Sequence, residues 1–199
     1  MISVVNYGIG NLGSIINMLK KIGQDSQLVN KPSEILRSER IILPGVGSFD
    51  NAVLRLRELQ LVDPIINVAR NGVPILGVCL GMQLLGTKSE EGTLPGLDLI
   101  PGDIKKFSPT EGLKVPHMGW NQVKFYDNGL KAGLEDNRFY FVHSFYFDSK
   151  QPFNIAGVTE YGLTFPSVIR NGNIIGVQFH PEKSHHFGMQ LLLNFSKIS

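Results

Sequence analysis

The sequence predicts an α/β fold in which a mostly parallel sheet is flanked by helices and additional antiparallel strands fill the second half. Three observations carry this expectation. Over the first 85 or so residues, short apolar runs alternate with amphipathic stretches, the order that places helices on both faces of a parallel sheet. From Leu97 onward strand-like runs follow one another with few helical interruptions. Near the end, Asn171-Gly172 is a dipeptide suited to the tight turn of a hairpin.

Taken in order, Ile2 to Tyr7 reads as the first strand and Leu12 to Ile22 as an amphipathic helix. Gln27 to Val29 and Arg40 to Leu43 read as strands, and Asp50 to Leu59 and Pro64 to Arg70 as helices. The second of these helices has Asp63 in position to cap it, Pro64 at its first position and Gly72 to stop it. The apolar run Val73-Pro74-Ile75-Leu76 reads as a buried strand, followed by a helix from Met82 to about Thr87. Strands are then expected at Asp103 to Phe107, Trp120 to Phe125, Phe139 to His143, Ile155 to Tyr161, Val168 to Arg170 and Ile174 to Phe179. A helix from about Phe187 to Phe195 follows.

Composition narrows the function classes. A length of 199 residues suits one sizeable domain with a core that needs no staples. Net charge is +2, and the short basic pairs Lys20-Lys21 and Lys105-Lys106 read as solvated faces, so no nucleic-acid partner is expected. The most apolar stretch, Val73 to Leu85, is too short and glycine-rich to span a bilayer, and Met1-Ile2-Ser3-Val4-Val5 lacks a basic leader. One cysteine permits no intrachain disulfide, which fits a cytoplasmic location.

That cysteine is the most informative residue. Gly77-Val78-Cys79-Leu80-Gly81 has the pattern of a nucleophile elbow, in which a buried strand turns sharply into a helix and glycines permit the close backbone. About a hundred residues on, the strand Ile174 to Phe179 delivers His180-Pro181-Glu182. Alternate residues of an extended segment share a face, so Glu182 is placed to hold one imidazole nitrogen while the other meets a thiol. A lone buried cysteine is usually a small hydrophobe, and a lone histidine usually structural. Together the three residues supply a nucleophile, a base and an orienting carboxylate at strand ends, where active sites of open α/β sheets form.

Two glycine-rich turns compete for a role. Gly8-Ile9-Gly10-Asn11-Leu12-Gly13 matches a dinucleotide-binding fingerprint between strand and helix, which makes a nucleotide-binding module the rival reading. The acid expected about 20 residues later is missing, because the chain there reads Leu28-Val29-Asn30-Lys31, and this favours a turn used for backbone geometry or docking. Leu43-Pro44-Gly45-Val46-Gly47 follows the Arg40 to Leu43 strand. Its amides suit either an oxyanion site or a plain tight connection, and spacing alone leaves both open.

Pro44-Gly45-Val46-Gly47, Gly77 to Gln83 and Gln178-Phe179-His180-Pro181-Glu182-Lys183-Ser184 together resemble the class I, triad-type glutamine amidotransferases, in matching order. Asn6 to Leu12, Pro116-His117-Met118-Gly119-Trp120-Asn121 and Tyr140-Phe141-Val142-His143-Ser144 are similar to the branch that serves imidazole glycerol phosphate synthases. The resemblance implies one flavodoxin-like class I glutamine amidotransferase domain over residues 1–199, hydrolysing glutamine without cofactor or metal. It also implies Cys79 as nucleophile, His180 as base and Glu182 as its orienter. Gly45, Val46 and Gly47 would form the oxyanion strand, with Leu80 offering the amide after the nucleophile. Gln83, His143, Ser144 and Phe145 would line the glutamine pocket, Phe145 standing where the family often has tyrosine. The implied partner is a (β/α)₈-barrel cyclase subunit in a heterodimer, with Asn11, Trp120 and Tyr140 at the interface or ammonia gate. Related glutaminases that supply ammonia for amidine groups on surface sugars are the alternative within the class.

Overall fold

The computed structural model describes residues 1–108 and 113–198. In chain order the first half contains β1 (Ile2–Val5), α1 (Leu12–Lys21), β2 (Ser26–Val29), α2 (Pro32–Ile35), β3 (Ile41–Leu43), α3 (Phe49–Glu58) and α4 (Val62–Arg70). Next come β4 (Ile75–Val78), α5 (Leu80–Leu84), β5 (Lys88–Ser89), β6 (Gly102–Lys106), β7 (His117–Gln122), β8 (Lys124–Phe125) and α6 (Asn128–Lys131). The remainder is β9 (Arg138–His143), β10 (Phe145–Ser149), β11 (Ile155–Tyr161), β12 (Leu163–Asn171), β13 (Ile174–Val177) and α7 (His185–Ser196).

The main sheet has eight strands in the order β2-β1-β3-β4-β13-β12-β11-β8. Its first five strands are parallel, in the 2-1-3-4-5 order of flavodoxin-like folds, and the last three are antiparallel. The parallel strands are apolar throughout because both faces are covered: every residue of β1, β3, β4 and β13 is buried. Alternation then divides these residues between two cores. Val5, Leu43 and Ile75 pack with Phe49, Leu56 and Ile65 of α3 and α4, whereas Val4, Ile42 and Leu76 pack with Ile15, Leu19 and Leu191 of α1 and α7. Two small sheets, β7-β9 and β10-β6-β5, complete the second half.

Several element boundaries differ from expectation for identifiable reasons. Helix α4 begins at Val62 with Leu61 at its N-cap, so Asp63 and Pro64 lie inside its first turn and Asp63 caps nothing. The expected strand Trp120 to Phe125 is two strands, since β7 pairs with β9 while β8 joins the main sheet against β11. Helix α5 starts at Leu80 and is over by Leu84, because Leu85 and Gly86 turn the chain back toward Leu99 and Gly102. Strand β12 extends well beyond Val168 to Arg170, and it accommodates Pro166 in its ladder with β11.

Candidate active site

Strands β4 and β13 are parallel neighbours, and their register pairs Val78 with Val177. The residues that follow both strands therefore leave the same edge of the sheet side by side. Cys79 comes directly after Val78, with its amide donating to the Val177 carbonyl at 2.8 Å. Its backbone lies at φ 54° and ψ −109°, a region that L-residues rarely occupy and that marks the strained elbow. The flanking glycines are there for close approach. A Cβ on Gly77 would sit 2.6 Å from the Gly81 carbonyl oxygen, and one on Gly81 would collide with the Leu43 carbonyl.

His180 follows β13, and its amide donates to the Tyr140 carbonyl at 2.9 Å. Pro181 to Lys183 then form a single 3₁₀ turn, so Glu182 reaches back to its histidine through a tight turn and not through the extended segment the sequence suggested. The Glu182 Oε1 to His180 Nδ1 distance is 2.7 Å, and the two side chains are 3% and 1% exposed. Nδ1 thus donates to the carboxylate, leaving Nε2 buried and free of a partner with hydrogen-bond geometry. Burial works against a charged imidazole, but interaction with Cys79 and Glu182 outweighs it and lifts the His180 pKa to about 10.

A cavity of about 320 Å³ joins these groups. Cys79, Leu80, His180, Val46, Gly47, Gln83, His143, Ser144 and Phe145 all line it. The Cys79 sulfur accepts from Gln178 Nε2 at 3.7 Å and lies 3.9 Å from the Val142 carbonyl. Gln83 does not cap its helix; its Nε2 donates to the Phe145 carbonyl and to Gln178 Oε1, both at 3.2 Å. Glu182 stands behind His180, outside the lining. Gly45 is also set back, packed so closely that a Cβ there would lie 2.8 Å from the Leu80 Cβ and 3.0 Å from the Tyr7 hydroxyl.

Beyond Gly45 the turn is open. Val46 is exposed and Gly47 adopts φ 100°. Upstream it is anchored, because the buried Tyr7 hydroxyl donates to the Pro44 carbonyl at 2.6 Å. Burial, together with the charge of Cys79, pushes the Tyr7 pKa upward, so Tyr7 remains a donor. The Gly8 to Gly13 turn braces the same segment: Gly8 and Gly10 have φ of 84° and 113°, and a Cβ on Gly10 would lie 3.1 Å from that of Pro44. The two turns occupy the switch point between β1 and β3, where flavodoxin-like folds bind nucleotides, and pack on each other there.

Asn11, Trp120 and Tyr140 lie outside the cavity. Trp120 is 46% exposed, meets Tyr140 edge to face at 6.2 Å and stacks on His185 at 5.4 Å. Sequence reasoning missed Glu91, which lines the cavity while its Oε2 accepts from the Phe49 amide at 2.8 Å. It missed Tyr7 and Gln178 as well. The acidic pair Glu90-Glu91 near the elbow was the one available signal, whereas Tyr7 and Gln178 lie in apolar runs that read as core.

A 2-1-3-4-5 sheet with a cysteine at the elbow and a carboxylate-held histidine on the adjacent strand defines an α/β protein of the nucleophile-elbow class. The chain belongs to the glutamine amidotransferase class-I family, whose model matches residues 3–198. It is 51% identical over 201 residues to the imidazole glycerol phosphate synthase subunit HisH 2 of Methanococcus maripaludis, covering 99% of each chain. It is 46% identical over 204 residues to the imidazole glycerol phosphate synthase subunit HisH of Bdellovibrio bacteriovorus, covering all of both. Among solved structures, a crystal structure of glutamine amidotransferase superposes with a TM-score of 0.76 at 18% identity, over 100% of this chain and 98% of the other, a likeness of fold.

Proposed function

We propose that this protein is the glutaminase subunit of an imidazole glycerol phosphate synthase, producing glutamate and ammonia from glutamine and passing the ammonia to a cyclase subunit. The observation that carries the reading is the presence of Cys79 and His180 on one cavity wall, with Glu182 on the far imidazole nitrogen at 2.7 Å. The full-length likeness to the two synthase subunits supports the acceptor half of the reading.

The Cys79 sulfur, whose proton is held on His180 Nε2, attacks the carboxamide carbon of glutamine. The resulting oxyanion is stabilised by main-chain amides of the Gly45-Val46-Gly47 turn and of Leu80. The C–N bond then breaks, the nitrogen leaves as ammonia with the proton from His180, and a thioester remains. Water, deprotonated by His180, attacks the thioester carbon; the C–S bond breaks, glutamate departs and the proton is again held on His180 Nε2. Gln83, His143, Ser144 and Phe145 hold the substrate, and the Glu91 carboxylate offers a counter-charge to its ammonium group. The cyclase subunit is a (β/α)₈ barrel docked on the face that carries Asn11, Trp120 and Tyr140.

Glutamate formation by the chain with and without the cyclase subunit and its nucleotide substrate tests both halves. Turnover that rises with the cyclase, and whose nitrogen appears in the cyclised product, is expected. No turnover under any of these conditions would overturn the glutaminase reading, and turnover indifferent to the cyclase would overturn the acceptor.

A further inference from the structure

A hydrogen-bond network runs from the partly exposed Asn121 of strand β7 inward to the Cys79 sulfur, and its proton positions are fixed from end to end. Asn121 is oriented by its surroundings, since its Oδ1 accepts from the Gln122 amide at 2.8 Å and its Nδ2 donates to the Glu160 carbonyl at 3.0 Å. Nδ2 therefore also donates to His117 Nε2, 3.2 Å away, which makes that nitrogen an acceptor. A neutral His117 must then carry its proton on Nδ1 and donate to His143 Nε2 at 2.9 Å. His143 in turn carries its proton on Nδ1 and donates to the Phe145 carbonyl at 2.8 Å. The same carbonyl accepts from Gln83, which also donates to Gln178, and Gln178 donates to the sulfur.

The neutral state of both rings follows from their surroundings. Burial lowers the His117 pKa to about 4, and burial also takes His143 to about 3, aided by the neighbouring His117 and His180 against the Phe145 carbonyl. His117 is held flat between Tyr161, centroids 3.9 Å apart, and Phe141, 4.7 Å apart.

We propose that His117 is a positioning residue for the glutamine pocket: by donating to His143 it holds the ring whose opposite nitrogen fixes the Phe145 carbonyl and hence the Ser144-Phe145 wall. It touches no substrate, and it ties that wall to the strand whose outer face carries Trp120. The inference rests on the glutaminase reading above.

Two measurements test it. Nitrogen-15 NMR of the histidine side chains in the unmodified chain at neutral pH should show His117 and His143 as Nδ1–H tautomers, and an Nε2–H tautomer on either ring overturns the network. Glutamine binding is read by calorimetry on a Cys79→Ser background, where no turnover intrudes. His117→Phe keeps the stack but removes the donor, and loss of one buried hydrogen bond should weaken glutamine ~10-fold, with kcat of the matching cysteine-containing variant in complex with the cyclase changed less than ~3-fold. His117→Asn, whose amide nitrogen can replace Nδ1, should recover affinity to within ~3-fold. Unchanged affinity in His117→Phe, or no recovery in His117→Asn, overturns the proposal. Failure of the glutaminase reading looks different, because the Cys79→Ser chain would then bind no glutamine while both tautomers remained as assigned.

Discussion

Cys79 is held at a positive φ that strains any side chain. Cys79→Gly should therefore be more stable than Cys79→Ala by about 1 kcal/mol, after allowing for the greater freedom of glycine in the unfolded chain. Urea denaturation of the two variants measures the difference, and both should lack turnover. In the proposed mechanism the His180 imidazole moves the protons while Glu182 orients it, so Glu182→Gln should retain more turnover than His180→Ala. Steady-state glutamate release compares the two, and the reverse order would mean that Glu182 does more than orient. Tyr7→Phe leaves the Pro44 carbonyl without its donor, and a loss of about 1–3 kcal/mol in unfolding free energy is expected for a buried acceptor. At this scale the sequence was most legible for Cys79, His180 and Glu182, because unusual residue types stood next to glycines and at strand ends. Glu91, Tyr7 and Gln178 were not legible, since their roles depend on what lies across a cavity or behind a turn.

Strands β7 and β9 give the protein a pH dependence of their own. An unfolded chain protonates its histidines below about pH 6.5, but the folded chain keeps His117 neutral down to about 4 and His143 down to about 3. The unfolded state therefore binds more protons, and stability must fall as pH drops through this window, by up to about 1.4 kcal/mol per pH unit for each histidine. Urea midpoints between pH 7 and pH 4 should show this decline, with a shallower slope in His117→Phe. The parallel elements were legible because strands buried on both faces announce themselves as apolar runs. Strand β10 was not: only Ser144 separates it from β9, yet β9 pairs with β7 and β10 pairs with β6. No glycine or proline marks that change of sheet. The short elements α2, β5 and α6 were missed for a related reason, as each is too brief for a periodic pattern to emerge.

For the molecule as a whole, the exposed aromatic face predicts coupling to a partner. Trp120 and Met118 are 46% and 62% exposed on the outer side of β7, and Trp120→Ala should weaken binding of the cyclase subunit at least ~10-fold if it is an anchor of the interface. Titration calorimetry with the cyclase reads this, and an unchanged affinity would place the interface elsewhere. The paired registry of Val78 and Val177 carries one more consequence, concerning time. The Cys79 amide is locked to a central strand, so its hydrogen should exchange with deuterium only when the entire fold opens. Val46 and Gly47 sit at the rim, and their main-chain hydrogens should be replaced through far smaller fluctuations. On the proposed mechanism the attacking sulfur is thus set in the slowest part of the protein and the oxyanion amides in one of the fastest, leaving a binding partner a place to act that does not disturb the chemistry.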